Sequence, residues 1–409
     1  MPVDRTQSGP AATRRRLVAG MLLGVLMGTA ACGSGATSSS GGATAATAQP
    51  LAPFQGALTT VTLPAGIQSL RGVACPSANR CWAVGTTLGT ARAPASAAVL
   101  TTTTGGASWT VQSIPPTVGY LAGIACPTTR ACTAVGQVGT DGAGPGAILT
   151  TANAGTTWVL QSLPTGSTDV TAVDCLPAGP CSALADVAGR VTALDPGAPG
   201  APWVARGALP ATVASATALA CTDARHCWTT VLSPVDVGHV AGSVAGTADG
   251  GASWALQAVP SGTGALEGID CTRPAVPDTS TTSAAAAHVD CTAVGTTATG
   301  TGATRSGQGL VLTTVDGGAT WTQAPVTATS AALFAVSCGA GPCVAVGTTV
   351  ASAPQAGVVV LGGSPGASPS RWRRAAEVGV PLPLTGVSCR SLSSCVMVGE
   401  SVSAHLGAG

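Results

Sequence analysis

LAGIACPTTRACTAVGQ (residues 121–137) followed by GAILTTANAGTTWVLQSLP (146–164) decides how this chain is read, because the same phrases return along it. Residues 70–87 read LRGVACPSANRCWAVGTT, and 97–115 read AAVLTTTTGGASWTVQSIP. Further copies begin near Val170, Ala216, Leu266, Leu333 and Leu384. Within a copy, four short runs of β-prone residues are separated by Gly, Pro and Thr clusters, the pattern of strands joined by tight turns. Four strands in a repeat of about 50 residues indicate propeller blades. The expected fold is all-β: a seven-bladed β-propeller of four-stranded antiparallel blades, forming one domain over residues 51–409.

The two ends of the repeat array fit each other. The last copy supplies LTGVSCRSLSSCVMVGES (384–401), two strands, and little chain follows. Before the first copy stands QGALTTVTLP (55–64), an outer strand without a blade of its own. Pairing the two would close the ring with strands from both termini and leave no open edge to aggregate.

Composition agrees with short strands and excludes several classes. The 409 residues carry 17 basic side chains, all arginine, against 16 acidic ones, a net charge of +1. Phosphate backbones need a clustered basic surface, so nucleic acid is not an expected partner. Charged residues at 8% are too sparse for helical bundles or coiled coils. Disorder driven by charge is excluded by the near-neutral balance.

Apart from Cys32, the 15 cysteines fall into seven local pairs. They are Cys75/Cys81, Cys126/Cys132, Cys175/Cys181, Cys221/Cys227, Cys271/Cys291, Cys338/Cys343 and Cys389/Cys395. Patterned, even cysteines in an exported chain read as disulfides, here one within each blade, across its first hairpin. Zinc fits poorly: C-x2-C is absent, and His226, His239, His288 and His405 have no ligand spacing. No metal and no cofactor are expected.

The N-terminus reads as an address. Arg14–Arg16 precede an apolar run, Leu17–Met27, and then Gly28-Thr29-Ala30-Ala31-Cys32. A basic region, a short apolar region and small residues make a secretory signal over 1–31; the run is too short to span a bilayer comfortably. The ending resembles a bacterial lipoprotein signal, with Thr29 where leucine is usual. That resemblance implies lipidation of Cys32, and residues 32–50 (GSGATSSSGGATAATAQP after the cysteine) read as a tether. The expected location is the outer face of the cytoplasmic membrane, held by the lipid alone.

TADGGASW (247–254) and TVDGGATW (314–321) resemble the Asp-box (BNR) repeat of sialidases and of photosystem II assembly-factor propellers. Thr104 and Asn153 occupy the Asp position before Trp109 and Trp158, and around Trp203 and Trp372 little but the Trp remains. The resemblance implies that Asp249, Gly251, Trp254, Asp316, Gly318 and Trp321 are structural. The Asp side chain is expected to accept a backbone N–H two residues on, while Gly supplies positive φ and the Trp fills space between blades.

Sialidase chemistry in that family needs an arginine triad, a Tyr–Glu pair and an acidic Asp. This chain has Tyr120 as its one tyrosine and Glu267, Glu377 and Glu400 as its glutamates, with no motif joining them. Asp174 and Asp270 share one position in the third and fifth copies and read as polar residues beside a turn. A non-catalytic, monomeric binding protein is therefore expected, with an envelope or extracellular protein as partner and a glycan as the alternative. Turns that carry cysteines and boxes share one end of the disc by strand alternation, and the variable loops share the other. Arg71, Tyr120, Glu267 and Phe334 are the candidate binding residues, near that variable end.

Overall fold

The chain reverses at each cysteine pair and at each Gly-rich turn, so consecutive β-prone runs lie side by side. The computed structural model describes residues 58–406 except 91–93, 140–143, 198–200, 237–238, 273–288, 299–306, 327–330, 340–341, 350–355, 363–371, 378–381 and 401; the leader, Cys32 and the tether fall outside them. In the first blade Ile67–Ala74, Cys81–Thr87, Ala97–Thr102 and Thr110–Gln112 pair antiparallel in chain order. Five more blades repeat this order, with innermost strands Val118–Ala125, Ser167–Cys175, Ser215–Cys221, Thr263–Thr272 and Ala331–Ser337.

The seventh sheet joins the ends. Leu384–Ser391, Ser394–Gly399 and Val402–Leu406 form three of its strands, and Leu58–Thr62 forms the fourth. Leu58 stands opposite Leu406 and Thr62 opposite Val402. The last copy thus gives three strands rather than the two read from sequence; VSAHL lacks the phrase that marks third strands elsewhere. Consecutive innermost strands touch all the way round, the last against the first. The molecule is a closed seven-bladed β-propeller.

A four-stranded sheet has two faces, and here both are covered by neighbouring sheets. That is why Cys81-Trp82-Ala83-Val84-Gly85 is buried residue after residue rather than alternating in and out. Accordingly there are seven cores, each between two blades. Between the first and second lie Trp82, Val84 and Val99 against Leu121, Ala134, Leu149 and Trp158. Six tryptophans at the last turn of a blade, Trp109, Trp158, Trp203, Trp254, Trp321 and Trp372, each pack against the preceding blade. Several are also riveted by hydrogen bonds. The indole N–H of Trp158 donates to Gln112 at 3.0 Å, that of Trp321 to Gln257 at 2.9 Å, and that of Trp109 to Ser403 at 2.9 Å.

The turn before each rivet is a local network. Thr247 Oγ1 donates to Asp249 at 2.8 Å and accepts the N–H of Gly251 at 3.0 Å. Asp249 accepts the N–H of Ser253 at 2.9 Å and its hydroxyl at 2.6 Å. The backbone bond therefore runs four residues on, not two, because the two glycines at positive φ (Gly250 and Gly251) let the chain curl under the carboxylate. Thr314 and Asp316 repeat this with Gly318 and Thr320. Asn153 and Thr104 make the same four-residue bond, to the N–H of Thr157 and of Ser108 at 3.0 Å each.

All seven disulfides form within their own blades, as expected from their spacing. Where the register runs that far, the half-cystines stand directly opposite, as in Cys221 with Cys227 and Cys271 with Cys291. A short loop closed this way is stabilised by about 2 kcal/mol.

The bridges are not surface staples out on the solvated turns, however. The second cysteine of every pair is buried in a core between blades: Cys81, Cys132, Cys181, Cys227, Cys291, Cys343 and Cys395. Cys338 is buried beside its partner Cys343. The reason is position, because the second cysteine stands at the start of the second strand, which neighbouring sheets cover on both sides. Two of these sulfurs meet the preceding blade through threonine. Thr133 donates to Cys181 Sγ at 3.4 Å, and Thr292 Oγ1 lies 3.8 Å from Cys343 Sγ. Each disulfide thus fills a blade interface as well as closing a hairpin.

Deleting residues 58–62 would bare the edge of Val402–Leu406 and uncover the last interface. The expected outcome is aggregation or a marked drop in melting temperature, read by size-exclusion chromatography and calorimetry; a deletion variant that is monomeric and equally stable would contradict the closure argument.

Candidate functional site

At one place in the repeat, every innermost strand carries a residue that the ladder skips. The register jumps between Leu70 and Gly72, Leu121 and Gly123, Val170 and Ala172, Ala216 and Ala218, Leu266 and Gly268, Leu333 and Ala335, and Leu384 and Gly386. These are β-bulges, which bend a strand and re-aim a side chain. The second strand makes room for them. A Cβ on Gly85 would collide with the carbonyl of Ser69, and one on Gly136 with that of Tyr120, so the glycine of "CxAVG" is required by close backbone approach.

The seven skipped residues are Arg71, Ala122, Thr171, Thr217, Glu267, Phe334 and Thr385, and all line one central channel of about 200 Å3. Two of them also bolt the ring. Thr217 donates to the carbonyl of Leu266 at 2.8 Å and Thr385 to that of Leu70 at 2.5 Å, in each case on another blade's innermost strand. Ala122 and Thr171 are small. The distinctive chemistry of the wall comes from Arg71, Glu267 and Phe334.

The structure thus gathers three of the four candidate residues, Arg71, Glu267 and Phe334, inside the channel. Tyr120 sits one step before the bulge of the second blade, with the guanidinium of Arg71 5.0 Å from its ring centre. Burial pushes its phenol up; the positive Arg71 opposes this and the negative Asp169 adds to it. Asp169 holds the same position in the third blade that Tyr120 holds in the second. Burial raises its carboxyl above the usual range, against the N–H of Val170 and with help from Asp186, and its Oδ1 is buried without a hydrogen-bond partner. The sequence reading does not single out Asp169. Aligning Thr168-Asp169-Val170 with Gly119-Tyr120-Leu121 is the signal that finds it. Tyr120 contacts Arg71 of the first blade, while Glu267 belongs to the fifth, three blades away.

Toward the disulfide end, the residue before the first cysteine ties each of several blades to another. Asp174 accepts the N–H of Cys221 at 2.7 Å, Asp270 that of Cys338 at 2.7 Å, Ser337 that of Cys389 at 3.1 Å, and Ser388 that of Cys75 at 3.1 Å. Asp174 and Asp270 are therefore inter-blade acceptors rather than polar residues beside a solvated turn. Burial pushes the Asp174 carboxyl up to about 6, against the N–H groups of Cys221 and Cys175. Asp270 rises to about 7, through burial and the nearby charge of Asp174, against the Cys338 and Cys271 amides. Among the described residues no three or more His, Cys, Asp or Glu side chains converge as a metal site.

No family model matches this chain, and no curated protein matches it. Solved structures do resemble it in fold. YCF48 bound to D1 peptide superposes with a TM-score of 0.57 at 12% identity, over 86% of this chain and 97% of that one. A catalytically inactive virginiamycin B lyase from Staphylococcus aureus with quinupristin superposes at 0.58 and 11% identity, over 87% of this chain and 100% of that one. The GH74 xyloglucanase from Xanthomonas campestris superposes at 0.51 and 14% identity, over 82% of this chain but 51% of its own. All are β-propellers, and at these identities the likeness is one of fold.

The two kinds of aspartate give opposite pH dependences. Asp174 and Asp270 have raised values in the folded state, so between about pH 4 and pH 7 the unfolded chain binds fewer protons and stability falls as pH rises. Asp249 is held near 2 by the Ser253 hydroxyl and amide and by Thr247. Asp316 also lies near 2: burial would raise it, but the Thr314 and Thr320 bonds outweigh that. Their contribution is present above about pH 4 and lost as pH falls toward 2. Urea midpoints should therefore peak near pH 4–5, and Asp174→Asn with Asp270→Asn should flatten the decline above that; a midpoint rising steadily to pH 8 would contradict the assignment.

Proposed function

We propose that this chain is an exported, lipid-anchored propeller that binds a segment of another protein at its central channel and catalyses no reaction. One observation carries the reading: seven bulges aim the least repeated side chains of a strongly repeated frame into one channel. Around it stand a cation, an aromatic pair and carboxylates, namely Arg71 against Tyr120, Phe334, Glu267 and Asp169. Groups of opposite charge with apolar plates between them suit a peptide, whose backbone and side chains offer both polar and apolar contacts. A cavity of about 200 Å3 admits a side chain or a chain end rather than a folded domain. The peptide-bound YCF48 structure supports such a use of the same fold.

Export is supported by the disulfides, which persist in oxidising compartments. The anchored form of the reading rests on Cys32, and kinship with Asp-box propellers rests on the network around Asp249 and Asp316. The xyloglucanase neighbour keeps a glycan-directed reading as the runner-up. Against a glycosidase, Asp174 and Asp270 accept the N–H groups of Cys221 and Cys338 and so hold blades together, where a hydrolase needs two carboxylates facing a substrate.

Immobilised wild-type protein should retain an envelope protein identifiable by mass spectrometry. A variant with Arg71, Tyr120, Glu267 and Phe334 all changed to Ala should lose it by tenfold or more, on the order of 1–3 kcal/mol, while keeping its circular dichroism. Retention by the variant, or turnover of a glycan substrate by the wild type, would overturn the reading. Independently, Cys32→Ala should shift the protein from the membrane fraction to the medium.

A further inference from the structure

The disulfide hairpins and the Trp turns open on the same end of the disc. Cys81 stands opposite Thr102, Cys132 opposite Thr151, Cys227 opposite Thr247 and Cys291 opposite Thr314, so hairpin and turn are level in each of these blades. Charge at this end is divided. Arg80, Arg130 and Arg390 stand on the hairpins of the first, second and seventh blades. Arg130 and Arg390 are exposed, and Arg80 is half-buried with its guanidinium 5.1 Å from the Trp82 ring centre. Arg390 donates to the carbonyl of Pro76 at 2.7 Å, which draws it over the first blade's hairpin.

Among the described residues, no Asp or Glu stands at this end of those three blades. The turns that bear Asp249 and Asp316 in the fourth and fifth blades bear Thr104 and Asn153 in the first and second. The other half is mixed, because Arg373 and Arg374 follow Trp372 at the start of the sixth blade's last strand. Asp195, Asp223, Asp249 and Asp316 lie there, with Arg206 2.7 Å from Asp195, His226 3.0 Å from Asp223, and Arg225 beside them. One half thus carries arginines alone, and in the other arginines and carboxylates are matched.

The N-terminal chain joins the folded body in the arginine half. Leu58 pairs with Leu406, and Leu406 pairs with Cys395, so the first described strand begins at the disulfide end of the seventh blade. Residues 33–57 therefore join Cys32 to the chain at the arginine side of this end.

We infer that the arginine half of the disulfide end lies against a bilayer of anionic lipid. The inference rests on the anchored reading of Cys32. Guanidinium groups near an anionic surface each raise partitioning about five-fold, at about 1 kcal/mol apiece, and the effect fades beyond a Debye length of about 8 Å. The charge-balanced half has no such attraction. The disc therefore sits with the first, second and seventh blades down, and the channel mouth beside Tyr120 and Asp169 faces away from the lipid.

The full chain carrying Cys32→Ala, which cannot be lipidated, is sedimented with vesicles of phosphatidylglycerol and phosphatidylcholine and with vesicles of phosphatidylcholine alone. It should bind the anionic vesicles, less so at raised salt. R130Q with R390Q should weaken this about 25-fold, five-fold for each arginine, while Arg190→Gln at the opposite end of the disc leaves it unchanged. Both substituted arginines of the test pair are exposed, so folding is not at stake. Equal binding to the two kinds of vesicle, or unchanged binding by R130Q/R390Q, overturns the inference. Any leader that is retained is common to every arm. Failure of the anchored reading shows separately, as a Cys32→Ala chain that fractionates from cells like the wild type.

Discussion

The structure depends on a single constraint: a blade has two apolar faces and only its neighbours can cover them. With seven interfaces and no common centre, every blade lends stability to two others, and an open ring would leave two apolar faces in water. The pairing of Leu58–Thr62 with Val402–Leu406 follows from that need. So do the bonds that run from blade to blade, which use whatever residue the position holds: Asp, Ser or Thr inside, Trp and Gln outside. Small side chains dominate a sequence with 3% aromatic residues, so much of the large apolar surface is concentrated in the six turn tryptophans.

Much of the fold was legible because the repeat is written in residues with strong local meaning. Cysteine pairs mark the first hairpin, the Gly of "CxAVG" marks the close approach of two strands, and the Thr–Asp–Gly–Trp phrase marks the last turn. Val402–Leu406 escaped because VSAHL has the length and pattern of a strand but none of those markers. The bulge was also invisible as geometry. Its signature was the variation of one position between two near-constant ones, at Arg71, Ala122, Thr171, Thr217, Glu267, Phe334 and Thr385. The variation alone did not say where these side chains go; the skipped register turns them into the channel.

Aspartate plays three parts here, and surroundings alone separate them. In the turns, Asp249 and Asp316 are ringed by donors and ionise easily. Beneath the channel, Asp174 and Asp270 meet donors too, but burial prevails, and at Asp270 the charge of Asp174 adds to it. Near the mouth, Asp169 is half-buried by Tyr120, and burial raises its carboxyl above the usual range. None of this could be read from residue type.

The bulges separate the frame of the ring from the wall of its channel. A skipped residue is not opposed in the ladder, so exchanging its side chain leaves the strand register as it was. Thr217 and Thr385 donate from such positions to the next blade, Arg71 stands against Tyr120 of its neighbour, and Ala122 brings only a methyl group. A lineage could rewrite positions of this kind one blade at a time, without shifting the strand registers that build each sheet. The scaffold is in this sense a combinatorial one: new specificities are reachable through single steps that folding does not oppose, and closely related chains could hold different ligands on superimposable backbones.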